Sequence, residues 1–370
     1  MEQPSTSTLR RPILTHLNVD TTWLLSIPYP AGVENKKARK YFHILIDPWL
    51  RGGQSDVAAF FSQQWHATPS AVQTTSELEV LIEGIEENDA SPSTNTQSPQ
   101  NGQKANVQTD EADSDRDGTP PRDTETYLNA IIISHEFTDH MHKETLLELP
   151  AQVPVFATTK AAAAIQSWAH FKLVMEIPRF EGRWRSSPGG GDAALPEWVG
   201  VTRVAKAGRD LLYYHSAIMI TFPSSSSTAE GEANSEAEEE AEAIIYTPHG
   251  IDPSDLTLVA EARPQIKTLA LMHGLQDISL PRAQLNKGAH NGLKVQRLLD
   301  ARYWVSTHDE VKRGGGLVSW FLRRRGVSVR EALEGEMRGE EGEGKGEGDR
   351  KMLGEIRFRD VGNGESLLLE

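Results

Sequence analysis

The stretch ISHEFTDHMH, residues 133–142, directly follows the apolar run AII and decides how the rest of the chain is read. It places three histidines, one aspartate and one glutamate within ten positions. Imidazole and carboxylate donors at this density point to a metal site, because both offer lone pairs to a borderline cation such as zinc. Phe137 interrupts the pattern. It stands between His135 and the pair Asp139-His140, and a phenyl ring offers no lone pair.

The segments on either side alternate between strand and helix patterns. TTWLLSIP (21–28) and YFHILIDPWL (41–50) read as paired strands, and YLNAIIIS (127–134) as a buried strand that ends at the histidine loop. KETLLEL has helical spacing, VPVFA is a short strand, and TKAAAAIQSWA is a helix by propensity. DLLYYHSAIMITF and AIIYTP read as a hairpin, followed by the strand IKTLALM, the helix NGLKVQRLLDA and the strand RYWVSTH. EIRFRDVGNGESLLLE is expected to be a terminal strand or hairpin around Asn363-Gly364, spanning 353–370. The mixture predicts a layered α/β protein.

Histidines fall where these strands end. His135 and His140 follow AIIIS, His249 follows IIYTP, His273 follows TLALM, and His308 follows YWVST. Strand ends on one edge of a sheet converge in space, and sites are often assembled there from loops. One such histidine is most simply a hydrogen-bonded loop residue; four strands ending this way point to a site.

With these stretches in place, the sequence resembles the metallo-β-lactamase superfamily, and within it the branch of ascorbate-6-phosphate lactonase-like proteins. LIDPWL resembles the first motif, with Asp47 ending a strand. SHEFTDH resembles the second, His-x-His-x-Asp-His, and HNGLKVQRLLDARYWVSTH the last helix-strand unit, which ends in His308. IIYTPHG places His249 where the family has an aspartate. The resemblance implies a four-layer αββα sandwich over residues 13–330, and a site that commonly holds two zinc ions.

The departures from that pattern reduce the expectation to one ion. Phe137 removes a ligand of the first site, the loop VAKAG (204–208) supplies none, and a neutral imidazole at His249 cannot bridge two ions as a carboxylate does. Asp139, His140 and His308 remain as ligands of the second, with His249 as a fourth ligand or a group stabilising developing charge. His135 either contacts substrate or orders the loop. Three ligands with an open position describe a catalytic zinc, four a structural one, and the sequence leaves both open. The expected function is a metal-dependent hydrolase acting on a small-molecule ester, lactone or phosphoester; the rival is a non-catalytic scaffold that binds a ligand or protein partner. Of the other polar residues, Asp47 is expected to support the loop, His273 to line a pocket, His142 to be solvated at a helix start, and His215 to pack inside a strand. RGGGL (313–317) reads as a turn, LRRRG (322–326) as a basic helix end, and Trp320-Phe321 as core.

Composition sets the outer limits. The absence of cysteine excludes disulfides, thiolate metal sites and thiol nucleophiles. The net charge of −15 belongs mostly to two inserts: residues 88–126 carry a net −5, and 229–242 add seven glutamates and no base. The segments 88–126, 223–242 and 334–351 have too little apolar surface to offset the entropy of ordering, so all three are expected to be disordered, with a short acidic helix within 236–243 as the alternative. Nothing resembles a nucleic-acid footprint, a signal peptide or a membrane span, and the expectation is a cytoplasmic protein without nucleic-acid or membrane partners.

Overall fold

The computed structural model describes residues 9–88 (apart from 34, 36, 57 and 59), 126–185, 195–205, 214–224, 240–341 and 356–370. The centres of the inserts, 89–125 and 225–239, lie outside the described residues, as does 342–355.

The described strands, in chain order, begin with β1 (Ile13–His16), β2 (Trp23–Pro28), β3 (Tyr41–Ile46), β4 (Gly53–Gln54), β5 (Gln63–Trp65) and β6 (Ala130–Ile133). Then come β7 (Val155–Ala157), β8 (Val174–Glu176), β9 (Gly200–Val204), β10 (Ala217–Pro223), β11 (Ala241–Thr247) and β12 (Ile266–His273). The last are β13 (Gln276–Leu280), β14 (Ala283–Asn286), β15 (Tyr303–Val305), β16 (Arg313–Gly315), β17 (Arg323–Gly326), β18 (Phe358–Arg359) and β19 (Ser366–Leu368). The helices are α1 (Thr75–Glu87), α2 (Lys143–Glu148), α3 (Thr159–Ser167), α4 (Thr257–Ala260), α5 (Ala289–Leu299) and α6 (Val329–Glu341).

Two sheets form the centre. One runs β19-β1-β2-β3-β6-β7-β8 and the other β18-β15-β12-β11-β10-β9. Alternation along each strand decides what faces what. Trp23, Leu25, Ile44, Ile46 and Ile132 of the first sheet meet Ile218, Ile220, Ile244, Tyr246, Met272 and Val305 of the second in one buried cluster. The opposite face of the first sheet, with Leu24, Leu45, Ile131 and Ile133, is covered by Leu78 and Ile82 of α1, Leu146 of α2 and Ile165 of α3. The outer face of the second sheet packs Met219, Ile245 and Leu271 against Val259 of α4 and Val295 and Leu299 of α5. The result is a four-layer αββα sandwich. β3, β6 and β7 run parallel, as do β11, β12 and β15, so their C-terminal ends lie along one edge of the sandwich. Because these strands are buried on both faces, they read in the sequence as continuous apolar runs.

Several local expectations are corrected. The terminal segment is not a hairpin: β18 pairs in parallel with β15, whereas β19 pairs antiparallel with β1 in the other sheet. The turn between them passes from sheet to sheet, with Gly364 at φ 82° donating its N–H to the His16 carbonyl at 2.7 Å. Residues 334–341, expected to be linker, continue α6; Ala332 is buried against α5, Arg297 pairs with Glu336 at 2.5 Å, and Ser328 and Glu331 exchange capping hydrogen bonds. Ala241 and Glu242, assigned to the second insert, are part of β11; Glu242 accepts a hydrogen bond from Arg11 at 3.0 Å, which leaves no acidic helix reaching 243.

LRRRG contains β17 rather than a helix end, and RGGGL begins with β16, which pairs with β5. Trp320 and Phe321 are not core: they are 87% and 60% exposed. Among the described residues no helix is long and apolar enough to cross a membrane.

Candidate metal centre

The shared strand edge gathers the histidines. After β3 the chain turns sharply at Asp47 (φ 45°), and after β15 at His308 (φ 58°). Both are non-glycine residues in the left-handed region, a conformation that costs energy and is held by the surrounding structure. β6 delivers His135, Asp139 and His140; β11 delivers His249. The rings of His140, His249 and His308 lie 4.9–5.0 Å apart between centroids, and His135 is 4.5 Å from His249.

Two carboxylates orient this group from behind. Asp47 is fully buried and accepts hydrogen bonds from the Ser134 backbone N–H (2.7 Å), the Ser134 hydroxyl, the Tyr246 hydroxyl (2.9 Å) and His140 Nδ1 (2.7 Å). Asp20, in the turn between β1 and β2, accepts from His308 Nδ1 at 3.0 Å. A proton held on Nδ1 leaves the Nε2 lone pair of each ring free, which is how carboxylates prepare histidine for a metal. His140 Nε2 lies 3.8 Å from Asp139 Oδ1, and His308 Nε2 lies 3.9 Å from Asp139 Oδ2. These three residues would offer a metal ion one carboxylate oxygen and two imidazole nitrogens. His249 Nε2 stands 2.8 Å from His140 Nε2, and its Nδ1 is buried without a hydrogen-bond partner among the described residues. Two imidazole nitrogens so close repel each other unless a proton or a cation is shared.

Two overlapping sets of donors lie within 4.8 Å of one another: Asp139, His140 and His308, and His135, His140 and His249. They share His140, whose Nε2 has one lone pair, so the two sets cannot each hold an ion of their own. The set with His135 is the poorer. His135 Nε2 faces the Tyr214 carbonyl at 3.1 Å, an acceptor that places the proton on that nitrogen, and Nδ1 meets Ser134 Oγ at 2.8 Å. Phe137 stacks on Tyr214 (4.7 Å) with its ring 6.1 Å from His135 and 5.9 Å from His249. Apolar volume thus fills the side where the sequence lacks ligands.

Charge favours a single dication. Asp20, Asp47 and Asp139 are all buried, and Lys312 is the ammonium among them; its Nζ lies 2.6 Å from Asp139 Oδ2 and 2.7 Å from Asp20 Oδ2. Three carboxylates against one ammonium leave two negative charges, one of which His140 offsets when it carries a proton. Burial alone would raise the Asp139 carboxyl, but Lys312, His140 and His308 hold it well below the ordinary range, and Lys312 and His308 do the same for Asp20. Lys312 is pushed up because the two aspartates outweigh its burial. His135 and His249 are lowered well below normal by burial and by neighbouring histidines, and His308 is lowered by burial against the pull of Asp20. His140 is raised: burial opposes its charge, but Asp139 and Asp47 outweigh it. The donor set, its backing carboxylates and its residual charge all fit one divalent ion.

The other residues singled out in the sequence lie outside this centre. His273 is buried, with Nε2 against Asn291 Oδ1 of α5 at 2.9 Å. His142 is buried rather than solvated, and caps α2 by accepting from the Thr145 backbone N–H at 3.3 Å. His215 precedes β10 instead of lying within it, and its ring meets backbone carbonyls of His249, Gly250 and Gln284. Of VAKAG, Val204 ends β9 and residues 206–208 lie outside the described residues. Sequence reading missed Lys312 and Asp20. The signal available for Lys312 was its place four residues beyond His308; Asp20, in a polar turn before β2, carried none.

No family model matches the chain, and no curated protein matches it. Among solved structures, the chain is similar to a possible metal-dependent hydrolase from Veillonella parvula, with 10% identity and a TM-score of 0.48 over 97% of this chain and 100% of the other. It is similar to a metallo hydrolase from Ignicoccus hospitalis, with 10% identity and a TM-score of 0.46 over 97% and 98%. It is also similar to the metallo-beta-lactamase fold protein YhfI from Bacillus subtilis, with 11% identity and a TM-score of 0.42 over 96% and 99%. The functional reading therefore rests on the residues of this chain.

Proposed function

We propose that the chain is a metal-dependent hydrolase of the lactonase-like branch of the metallo-β-lactamase superfamily, holding one zinc ion and acting on a small-molecule ester, lactone or phosphoester. The observation that carries this reading is the pair of buried carboxylates, Asp47 and Asp20, that hold His140 and His308 by Nδ1 and turn both Nε2 atoms toward Asp139. Asp139 Oδ1, His140 and His308 would hold the ion, with His249 as the fourth ligand or as a donor to developing negative charge. Bound there, a divalent ion would supply Lewis acidity, polarising the substrate and lowering the pKa of water so that hydroxide is available near neutral pH. His135 orders the loop through Ser134 and Tyr214. Lys312 fixes Asp139 by its second oxygen.

Metal analysis of purified protein tests this directly. About one ion per chain is expected in the wild type. His308→Ala and Asp139→Asn should lose most of it, while His135→Ala keeps it. A wild type without metal, or loss in His135→Ala alone, would reject the assignment.

One observation favours a second reading, a non-catalytic scaffold: Lys312 already supplies Asp139 with a cation. That reading predicts no bound metal and unchanged thermal stability on addition of zinc.

A further inference from the structure

The segment that begins at Lys312 leaves the metal centre and builds an exposed face on the same edge of the sandwich. Leu317, Trp320 and Phe321 follow one another closely in the chain and are 58%, 87% and 60% exposed, and the Leu317 N–H donates at 3.2 Å to the carbonyl of Phe60, itself 74% exposed. Apolar side chains this exposed and this contiguous mark a contact surface rather than scattered surface residues. β17 follows at once, and its arginines 323, 324 and 325 are all exposed. Asp277 stands opposite Arg325 in the strand register, while Ser279 and Ile278 face the other two.

The acidic runs attach at the other end of the molecule. The 225–239 insert departs after Pro223 and rejoins at the start of β11, the end of that strand remote from His249. The 89–125 insert rejoins before β6, whose far end carries His135. The Glu-rich run before β18 likewise rejoins at the start of a strand parallel to β15, remote from His308. The described residues that border these runs therefore lie away from the aromatic side chains and arginines.

We propose that this face docks on an anionic lipid surface. Trp and Phe side chains beside arginines are suited to the headgroup boundary: the rings enter the apolar margin while guanidinium groups meet lipid phosphates and carboxylates. Docking by this face turns the edge of the sandwich that carries the candidate metal centre toward the lipid. The expectation from the sequence of no membrane partner rests on the lack of a spanning segment, which peripheral docking does not need. The proposal stands apart from the hydrolase reading, since neither the aromatics nor the arginines belong to the metal centre.

Sedimentation of the full chain with vesicles tests it. Binding to vesicles of phosphatidylcholine with about three parts in ten phosphatidylserine should exceed binding to phosphatidylcholine alone by about tenfold or more, and should fall as salt rises. Trp320→Ser with Phe321→Ser should reduce that binding by about tenfold, and Arg323→Glu with Arg324→Glu should abolish it. All four side chains are exposed, so unchanged melting temperatures verify that the variants fold. A wild type that ignores anionic vesicles, or variants that bind as the wild type does, would overturn the proposal. A dimer in light scattering that Trp320→Ser dissolves, without vesicle binding, would assign the face to a second copy and overturn it as well.

Discussion

Lys312 Nζ lies 2.6 Å from Asp139 Oδ2, so the carboxylate of the candidate metal centre is held by an ammonium from the chain itself. Asp139 divides its oxygens, one toward Lys312 and one toward His140. Lys312→Met should therefore cost the metal-free protein about 3–5 kcal/mol, the penalty for leaving a buried charge without its partner. Denaturant unfolding of metal-stripped protein measures this, and a loss under about 1 kcal/mol would show that the pair is not formed.

Asp20→Asn should weaken zinc affinity about 10–100-fold, because the group that fixes the His308 tautomer loses its charge. The readout is competition against a chelator. An unchanged affinity would mean that His308 does not ligate.

Phe137→His restores a ligand type to the second motif without restoring a second site. His249 still cannot bridge and Asp139 Oδ2 is still held by Lys312. Metal content should stay near that of the wild type, and a doubled content would contradict the single-site reading.

Acid should destabilise the metal-free protein. Burial lowers the pKa of His16, His43, His135, His142, His215, His249, His273 and His308 in the folded state. For each, the unfolded chain binds more protons as pH falls through the unfolded value near 6.5, so stability present above that pH is lost below it. His140 is raised, and burial pushes Asp309 up to about 7; both act in the opposite sense. Eight lowered histidines outnumber the raised groups, Asp56 included, so the melting temperature should fall between pH 6.5 and 5.5. A flat or rising profile would show that the histidines are not buried as described.

Gly292 tests the packing of α5 on β15. Glycine to alanine inside a helix ordinarily stabilises, but a Cβ here would sit 2.4 Å from the Trp304 ring and 2.9 Å from His273 Nδ1. Gly292→Ala should destabilise by about 1–3 kcal/mol, and a gain in melting temperature would show that the contact yields easily.

The sandwich was legible because its central strands are apolar on both faces and its helices carry ordinary spacing. The convergence of Asp139, His140, His249 and His308 was legible for a related reason: each follows the C-terminal end of a parallel strand. Lys312 and Asp20 were not, because they meet across 292 positions and neither belongs to a periodic pattern. Trp320 and Phe321 read as core because apolar identity suggests burial, yet a short turn has no second face to hide them. Residues 334–341 read as linker because their Gly and Glu content outweighed the Ser328–Glu331 cap at the start of α6.

The short turn at 362–365 has a consequence for how the molecule closes. Until β18 and β19 arrive, β15 and β1 each present an open strand edge, one in each sheet. Fifteen residues remote from every motif thus act as a clasp that seals one border of each sheet. A chain lacking 356–370 would carry two adhesive borders at once, and its failure would be sticking to its neighbours rather than losing its metal centre.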